Sequence, residues 1–367
     1  MLSIRLIAVL SAASIAVTSA TPVADSSCTI SSFDQVASVL AECTDIVVSN
    51  LEVPAGETLN LETKKKGVTI TFEGKTTFAY KEWYGPLLRV KGKAITVVGA
   101  KGSVLDGQGQ LYWDGKGGNG GITKPKFFKI KATEGSHFKN INLLNCPVQC
   151  TSIDHSGPLT LSGWNIDVSQ GDKDALGHNT DGFDINTTDQ LTIEDTVVKN
   201  QDDCIAVNQG TNFIFNNLDC SGGHGLSLSV GTSHEIIKNT VRNVTFSNSV
   251  VRKSRNGIHI KTHTNSGEGI IEDVTYSNIA MEGIWKYAVN VEQDYKKGKP
   301  TGIPVGNIPI KGLHLEKVTG TLTGEESTPV YIICADGACS NFNWSGVSFE
   351  GASHASNCSY VPTGYSC

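Results

Sequence analysis

Three aspartates and one histidine near the middle of the chain recur at a single spacing. Asp181 and Asp203 are 22 residues apart, and Asp202 and His224 are also 22 residues apart. In a chain that folds into coils of this length, the four side chains fall next to one another. Carboxylates one strand spacing apart cannot all ionise easily, so one of them keeps its proton to higher pH. A protonated carboxyl group beside ionised carboxylates can serve as the acid and base that hydrolyse a glycosidic bond.

Two other interpretations of the same residues remain open. A pair of adjacent aspartates is usually a solvated turn, and three carboxylates can also hold Ca²⁺, as they do in some β-solenoids. The hydrolytic interpretation therefore depends on whether neighbouring coils place further polar groups on the same face.

The strands that would position these residues belong to a repeated unit. Each repeat has two alternating apolar residues, then a bend at a polar residue or glycine, then a second alternating apolar pair. The repeats begin at Leu159, Leu191, Phe213, Val244, Val274, Leu313 and Phe342. The alternation predicts strands, and the Asn, Gly or Asp step between them predicts a tight bend. The segments start 22 to 39 residues apart, which is typical of a parallel β-helix with insertions, whereas a β-sandwich would not repeat one unit.

A second series of strands lies between these bends, at residues 182–186, 204–208, 225–229, 257–261 and 288–292. Their second and fourth residues are apolar and should face inward, while the third and fifth should face outward. The candidate aspartates and His224 directly precede the first three strands, and His259 and Lys261 are outward positions of the fourth. We therefore predict an all-β, single-domain solenoid with a short capping helix within residues 32–43.

In order and spacing, these residues resemble the signature of the polygalacturonases, the pectin hydrolases of glycoside hydrolase family 28. The matching segments are Asn179-Thr180-Asp181, Gln201-Asp202-Asp203, Gly223-His224-Gly225, Ile260-Lys261 and Gln293-Asp294-Tyr295. The similarity extends from about Cys28 to Cys367. It implies a right-handed parallel β-helix and an enzyme that hydrolyses α-1,4 linkages of demethylated polygalacturonate with inversion.

The resemblance also implies a role for each candidate residue. Asp202 would be the general acid, and Asp181 and Asp203 would activate the attacking water from the opposite side, across about 6.5–9.5 Å. His224 would tune the protonation of the acid. The residues expected to contact the substrate are Asn179, His259, Lys261 and Tyr295. No metal or other cofactor would be required.

One position departs from the family pattern, because His259-Ile260-Lys261 stands where the family usually has Arg-Ile-Lys. Arginine carries a permanent planar charge, whereas an imidazole is charged only below a pKa of about 6.5. If His259 faces the carboxylates of the substrate, affinity should weaken as the pH rises through about 6–7. The alternative is an imidazole hydrogen-bonded to its own scaffold.

Several functional alternatives follow from these residues. The absence of large insertions that would close one end of a groove favours endo attack over an exo-acting or oligogalacturonate hydrolase. His259 also leaves open a catalytically reduced galacturonan-binding relative. A Ca²⁺-dependent pectate lyase is the third alternative. The expected macromolecular partners are plant inhibitor proteins, and the chain is expected to be a monomer.

The N-terminus predicts export. Arg5 precedes an apolar run from Leu6 to Val17 and a small-residue site at Thr18-Ser19-Ala20, which together indicate a secretory signal peptide over residues 1–20. The run is too short for a membrane span. Residues 21–367 form the predicted domain, with a short pro-segment at 21–27. A net charge of −6 argues against a nucleic-acid partner.

The ten cysteines and four glycosylation sequons agree with an extracellular protein. Local coils favour the sequential disulfides Cys28–Cys43, Cys146–Cys150, Cys204–Cys220, Cys334–Cys339 and Cys358–Cys367, although the sequence leaves the connectivity open. The pair at positions 146 and 150 is uncommon in the family and predicts an extra surface disulfide. The sequons begin at Asn186, Asn243, Asn343 and Asn357.

Overall fold

The structure is a computed structural model that describes residues 26–367. The predicted signal peptide, residues 1–20, and most of the predicted pro-segment lie outside the described residues. Within the described part of the chain, no helix has the length and apolar character needed to cross a membrane.

Residues 26–367 contain one short α-helix and five 3₁₀ segments. The helix, α1, covers Val36–Glu42, and the 3₁₀ segments cover Ser26–Cys28, Phe33–Gln35, Gly109–Leu111, Ser169–Ala175 and Ile236–Asn239. Ser32 and Gln35 form a capping box before α1, which supplies hydrogen bonds to otherwise unpaired backbone N–H groups. The predicted N-terminal helix is therefore present, and the Cys28–Cys43 disulfide joins the residue that follows α1 to the first 3₁₀ segment.

Twenty-eight strands form the rest of the described fold. The N-terminal strands are β1 (Thr29–Ile30), β2 (Asp45–Ser49), β3 (Glu52–Val53), β4 (Leu59–Lys66), β5 (Thr69–Glu73), β6 (Lys75–Phe78), β7 (Leu88–Lys93), β8 (Thr96–Gly99) and β9 (Val104–Asp106). The central strands are β10 (Phe128–Lys139), β11 (Asn142–Leu144), β12 (Thr151–Ser162), β13 (Asn165–Asp167), β14 (Phe183–Lys199), β15 (Ile205–Val207), β16 (Gly210–Ser221), β17 (Leu226–Val230) and β18 (Thr240–Arg252). The C-terminal strands are β19 (Asn256–His263), β20 (Ile270–Ile284), β21 (Tyr287–Lys296), β22 (Lys299–Pro300), β23 (Ile310–Leu322), β24 (Thr328–Ile333), β25 (Cys339–Ser340), β26 (Asn343–Ser345), β27 (Ser348–Glu350) and β28 (Asn357–Cys358).

Each strand pairs in parallel with the equivalent strand of the next coil, so the predicted parallel β-helix is confirmed. One ladder, which we call the floor sheet, runs through β4, β7, β10, β12, β14, β15, β17, β19, β21, β24 and β28. A second ladder joins β16, β18, β20 and β23. The described exception to parallel pairing is the short antiparallel contact of β21 with β22.

Inward side chains of successive coils stack to form the core. Phe215, Phe246 and Tyr276 occupy one position of the repeat, with ring centroids 4.5 and 4.6 Å apart. All three are fully buried, and each such side chain contributes about 1.5–3 kcal/mol of hydrophobic stabilisation. This continuous core fixes the rotation of one coil relative to the next and therefore the alignment of the outward residues.

The structure contains five disulfides, which join the same sequential pairs that the local coils favoured. Cys146 and Cys150 are buried. The prediction that this disulfide lies on the surface is therefore wrong. Asn243, Asn343 and Asn357 are exposed, while Asn186 is half-buried on the floor sheet. Glycosylation at these sequons stays a prediction.

Candidate active site

Outward residues of the floor sheet line a polar cleft of about 430 Å³. The register places Ser227, His259 and Asn290 side by side on successive strands, and it aligns Lys261 with Glu292 in the next row. The predicted outward orientation of this strand series therefore brings charged side chains to one surface. The turns before the strands form one wall of the cleft.

A buried asparagine fixes the turn that carries two of the candidate aspartates. The Nδ2 group of Asn200 donates hydrogen bonds to the carbonyl oxygens of Thr180, Asp202 and Asp203 at 2.9, 3.0 and 3.0 Å. Because Asn200 is buried, these bonds are shielded from water and hold two neighbouring coils together.

Asp202 accepts hydrogen bonds on both carboxylate oxygens. The backbone N–H of Asp203 lies 2.8 Å from Oδ1, and Nδ1 of His224 lies 3.1 Å from the same oxygen. Nδ2 of Asn179 donates to Oδ2 at 3.0 Å. These three donors hold the side chain in one orientation.

Asp203 is paired with Lys261, a residue of β19 on the floor of the cleft. Lys261 Nζ lies 2.9 Å from Oδ2 of Asp203, and Ser227 Oγ donates to Oδ1 at 2.6 Å. The ammonium also lies 5.2 Å from the ring centroid of Tyr295, which is within cation–π range. The structure thus brings together Asp203, Lys261 and Tyr295.

The carboxylate cluster, Asp181, Asp202 and Asp203, is buried. Burial, followed by the negative charges of Asp202, Asp184 and Asp203, raises the pKa of Asp181 well above its ordinary value. Burial also acts to raise the pKa of Asp202, but His224 and Lys261 outweigh it and lower that pKa. In the free cleft, the charge balance therefore favours a proton on Asp181, whereas the resemblance gives the proton donor as Asp202.

The cluster is compact. One carboxylate oxygen each of Asp202 and Asp203 and one ring nitrogen of His224 lie within 4.8 Å of one another. The separation of about 6.5–9.5 Å between the acid and the carboxylates that activate water stays a prediction. Such a group could attract a cation, but protein donors already occupy the carboxylate oxygens of Asp202 and Asp203. The donor set therefore fits proton transfer better than metal binding.

Comparison with known proteins gives the family. Residues 43–367 match the family described as glycosyl hydrolases family 28. The chain belongs to this family.

Three similar proteins are a polygalacturonase and two endopolygalacturonases. The chain is 95% identical to a polygalacturonase of Phaedon cochleariae over the full length of both proteins. It is 49% identical to endopolygalacturonase I of Aspergillus niger, over 93% of this chain and 91% of the relative. The structure of endopolygalacturonase I from Stereum purpureum, complexed with two galacturonate, matches with a TM-score of 0.79 and 36% identity, covering 90% of this chain and 96% of that one.

Like Lys261, two further residues expected to contact the substrate of this family 28 chain are hydrogen-bonded to the protein itself. Asn179 Oδ1 accepts hydrogen bonds from the backbone N–H of Gly118 and from Nδ2 of Asn119, at 3.1 and 3.0 Å, while its Nδ2 holds Asp202. The Asn179 amide is therefore placed to position Asp202.

His259 has the second set of internal contacts. Its Nε2 lies 2.6 Å from Oε1 of Glu292, and its Nδ1 lies 3.3 Å from Nδ2 of Asn256. The imidazole is 8% exposed. Burial and then the charge of Lys261 lower its pKa despite Glu292, so a neutral ring donates through Nε2–H. These contacts support the scaffold-bonded alternative over direct contact with substrate carboxylates.

Several charged or titratable residues of the cleft were not identified from the sequence as site candidates. Among them are Asp184, Arg255, His263 and Glu292. The strand register could have identified two of them. Asp184 is the third residue of segment 182–186 and Glu292 is the fifth residue of segment 288–292, and both positions face outward. Arg255 precedes the fourth strand by two residues, as Asp202 precedes the second. His263 lies beyond the aligned segments, with its ring 5.2 Å from that of Tyr295, and only tertiary packing reveals it.

Proposed function

We propose that this chain is a secreted endo-polygalacturonase that hydrolyses α-1,4-galacturonosyl linkages of demethylated pectin with inversion. The observation that carries the proposal is the convergence of three buried carboxylates, His224 and Lys261 in one cleft of a family 28 chain. Relatives that are 95% and 49% identical over nearly the whole chain are a polygalacturonase and an endopolygalacturonase. They support the same substrate class.

In the proposed reaction, Asp202 gives its proton to the glycosidic oxygen as the bond from that oxygen to the anomeric carbon breaks. The electron pair of the bond stays with the leaving oxygen. Water attacks the anomeric carbon from the other face, and its proton passes to Asp203 or Asp181. His224, 3.1 Å from Asp202, keeps the acid oriented and can return a proton to it.

For Asp202 to act as the acid, its pKa must rise when the substrate binds. Lys261 lowers the pKa of both Asp181 and Asp202. A galacturonate carboxylate bound to the ammonium would cancel part of this field, so the pKa of Asp202 would rise in the complex. The proton that lies on Asp181 in the free cleft would then become available to Asp202.

The proposal also covers secretion of the chain and the molecules that it binds. The signal sequence at residues 1–20 supports secretion, and the galacturonate bound to the Stereum purpureum relative supports a polygalacturonate substrate. Plant inhibitor proteins are the proposed macromolecular partners, and the chain would act as a monomer. The proposal includes no metal.

The test is a product time course on polygalacturonate, with viscosity and reducing ends measured together. Endo attack predicts a fast fall in viscosity and a mixture of oligomers at early times. Release of monomer alone would contradict endo attack, and absence of new reducing ends would favour the catalytically reduced relative. Products that absorb in the ultraviolet, lost on addition of chelator, would indicate a lyase.

Two further measurements address mechanism and substrate charge. Proton NMR at early times should show the inverted β-anomer, and a retained α-product would overturn single displacement. The rate should fall as substrate carboxylates are converted to methyl esters, because Lys261 then loses the charge-assisted bond to a substrate carboxylate. Equal rates on fully esterified pectin would contradict the assigned substrate.

A further inference from the structure

The turns that precede successive floor strands form a row along the cleft, which begins at the carboxylate cluster. The backbone N–H of His224 donates to the carbonyl of Asp202, and that of Arg255 donates to the carbonyl of Gly223 in the next coil. The N–H groups of Lys286 and Tyr287 donate in turn to the carbonyl of Arg255. Each coil advances about 4.8 Å, so Arg255 lies about two coils, or roughly 10 Å, from Asp202 along the cleft.

Among the described lysines and arginines that line this cleft, Arg255 is the one without an ion-pair partner. Two lysines also line it, but Lys261 is paired with Asp203 at 2.9 Å and Lys286 with Glu326 at 3.5 Å. Within the described chain, no carboxylate lies within ion-pair distance of Arg255. Glu292, whose pKa Arg255 helps to lower, has an oxygen bonded to His259 instead.

Aromatic side chains define the orientation of the guanidinium. Its central carbon lies 5.7 Å from the ring centroid of Trp285, within the range of a cation–π contact. Tyr287 and Tyr331 stack beside it on the cleft wall, with centroids 4.9 Å apart and planes at 20°. A flat cation next to aromatic rings is suited to a ligand that combines a carboxylate with an apolar ring face.

We infer that Arg255 binds the carboxylate of a second galacturonate unit, away from the cleaved bond, and so supplies the cationic contact that His259, held by Glu292, does not. This inference rests on the proposed function. The planar fork of arginine binds a carboxylate through two parallel hydrogen bonds. Trp285 limits the rotation of the side chain, which reduces the entropy lost on binding.

The test compares the wild type with Arg255→Gln and Arg255→Lys on trigalacturonate and on its methyl ester. For the free acid, Arg255→Gln should raise KM by about tenfold or more and leave kcat within about threefold, because a charge-assisted bond is lost. Arg255→Lys should retain part of the affinity. On the methyl ester, the wild type and Arg255→Gln should have the same KM.

The matched control is Arg242→Gln, which removes an arginine that does not line the cleft and should leave KM unchanged. An unchanged KM for Arg255→Gln on the free acid would overturn the inference. An equal rise on acid and ester would overturn it as well, because Arg255 would then act through the fold. Calorimetry of trigalacturonate binding to the same proteins tests Arg255 even if the wild type releases no reducing ends, an outcome that would refute the proposed function alone.

Discussion

His259 and Glu292 show how burial changes the behaviour of a histidine. In water, a carboxylate at hydrogen-bond distance favours the imidazolium. Here burial has the larger effect on His259 and Lys261 adds to it, so its pKa falls although Glu292 opposes the change. The ring is therefore a neutral part of the scaffold in the cleft of a polyanion-binding family.

This assignment can be checked by nitrogen NMR. We expect His259 to remain the neutral Nε2–H tautomer at pH 6, because protonation would place a second cation beside Lys261. His259→Gln assigns the resonances by their loss. Two similar ring-nitrogen shifts, characteristic of an imidazolium, would show that Glu292 outweighs burial.

The acid assignment of Asp202 requires a test that separates donation of a proton from other roles. Asp202→Asn should lower turnover of polygalacturonate by at least about 10²-fold while binding is nearly kept. An activated substrate, whose leaving group needs no proton, should recover much of the rate in this variant. It should not do so in Asp203→Asn, which serves as the comparison. If the activated substrate instead rescues Asp181→Asn, the acid is the residue that holds the proton in the free cleft.

At the scale of the element, the turn before β15 depends on Asn200. Its three hydrogen bonds tie the carbonyls of Thr180, Asp202 and Asp203 to one buried amide. Removing the amide leaves these carbonyls without that donor, in a place that water does not easily reach. The carboxylates of the cluster would then lose their fixed separation.

We therefore expect Asn200→Ala to lower the free energy of unfolding by about 2 kcal/mol or more, and to lower kcat more than it raises KM. Urea denaturation and steady-state kinetics measure the two effects. Asn60→Ala is the control, because Asn60 is an exposed residue of β4 that does not line the cleft. Equal effects of the two substitutions would show that the turn does not depend on Asn200.

The strands were predictable because their signal is local. Alternation of apolar residues gave the floor strands and their outward positions, and a spacing of 22 residues aligned Asp202 with His224 without any tertiary information. The His259–Glu292 contact spans 33 residues, and the loop between β19 and β20 interrupts the 22-residue period there. Hydrogen bonds between side-chain ends depend on rotamers, which the strand pattern does not specify.

At the scale of the whole molecule, the buried acids make stability depend on pH. Asp184 lies on the cleft floor next to the cluster, and burial is the main cause that raises its pKa to about 7, with Asp203 and Asp202 adding to it and Lys126 opposing it. The folded chain thus holds this proton more tightly than the unfolded chain does. Unfolding between about pH 4 and pH 7 releases the proton, so stability falls as the pH rises through this interval.

Asp184→Asn should remove this dependence. Each unit of pKa shift corresponds to 1.36 kcal/mol, so the wild type should lose up to about 4 kcal/mol between pH 4 and pH 8 through this group. The variant should therefore be more stable than the wild type at pH 8, and the difference should vanish towards pH 4, where Asp184 is protonated in both states. Urea denaturation at several pH values measures the difference, with the exposed Asp273→Asn as control. Parallel curves for the wild type and Asp184→Asn would mean that Asp184 is ionised in the folded chain, held by Lys126 more strongly than burial opposes it.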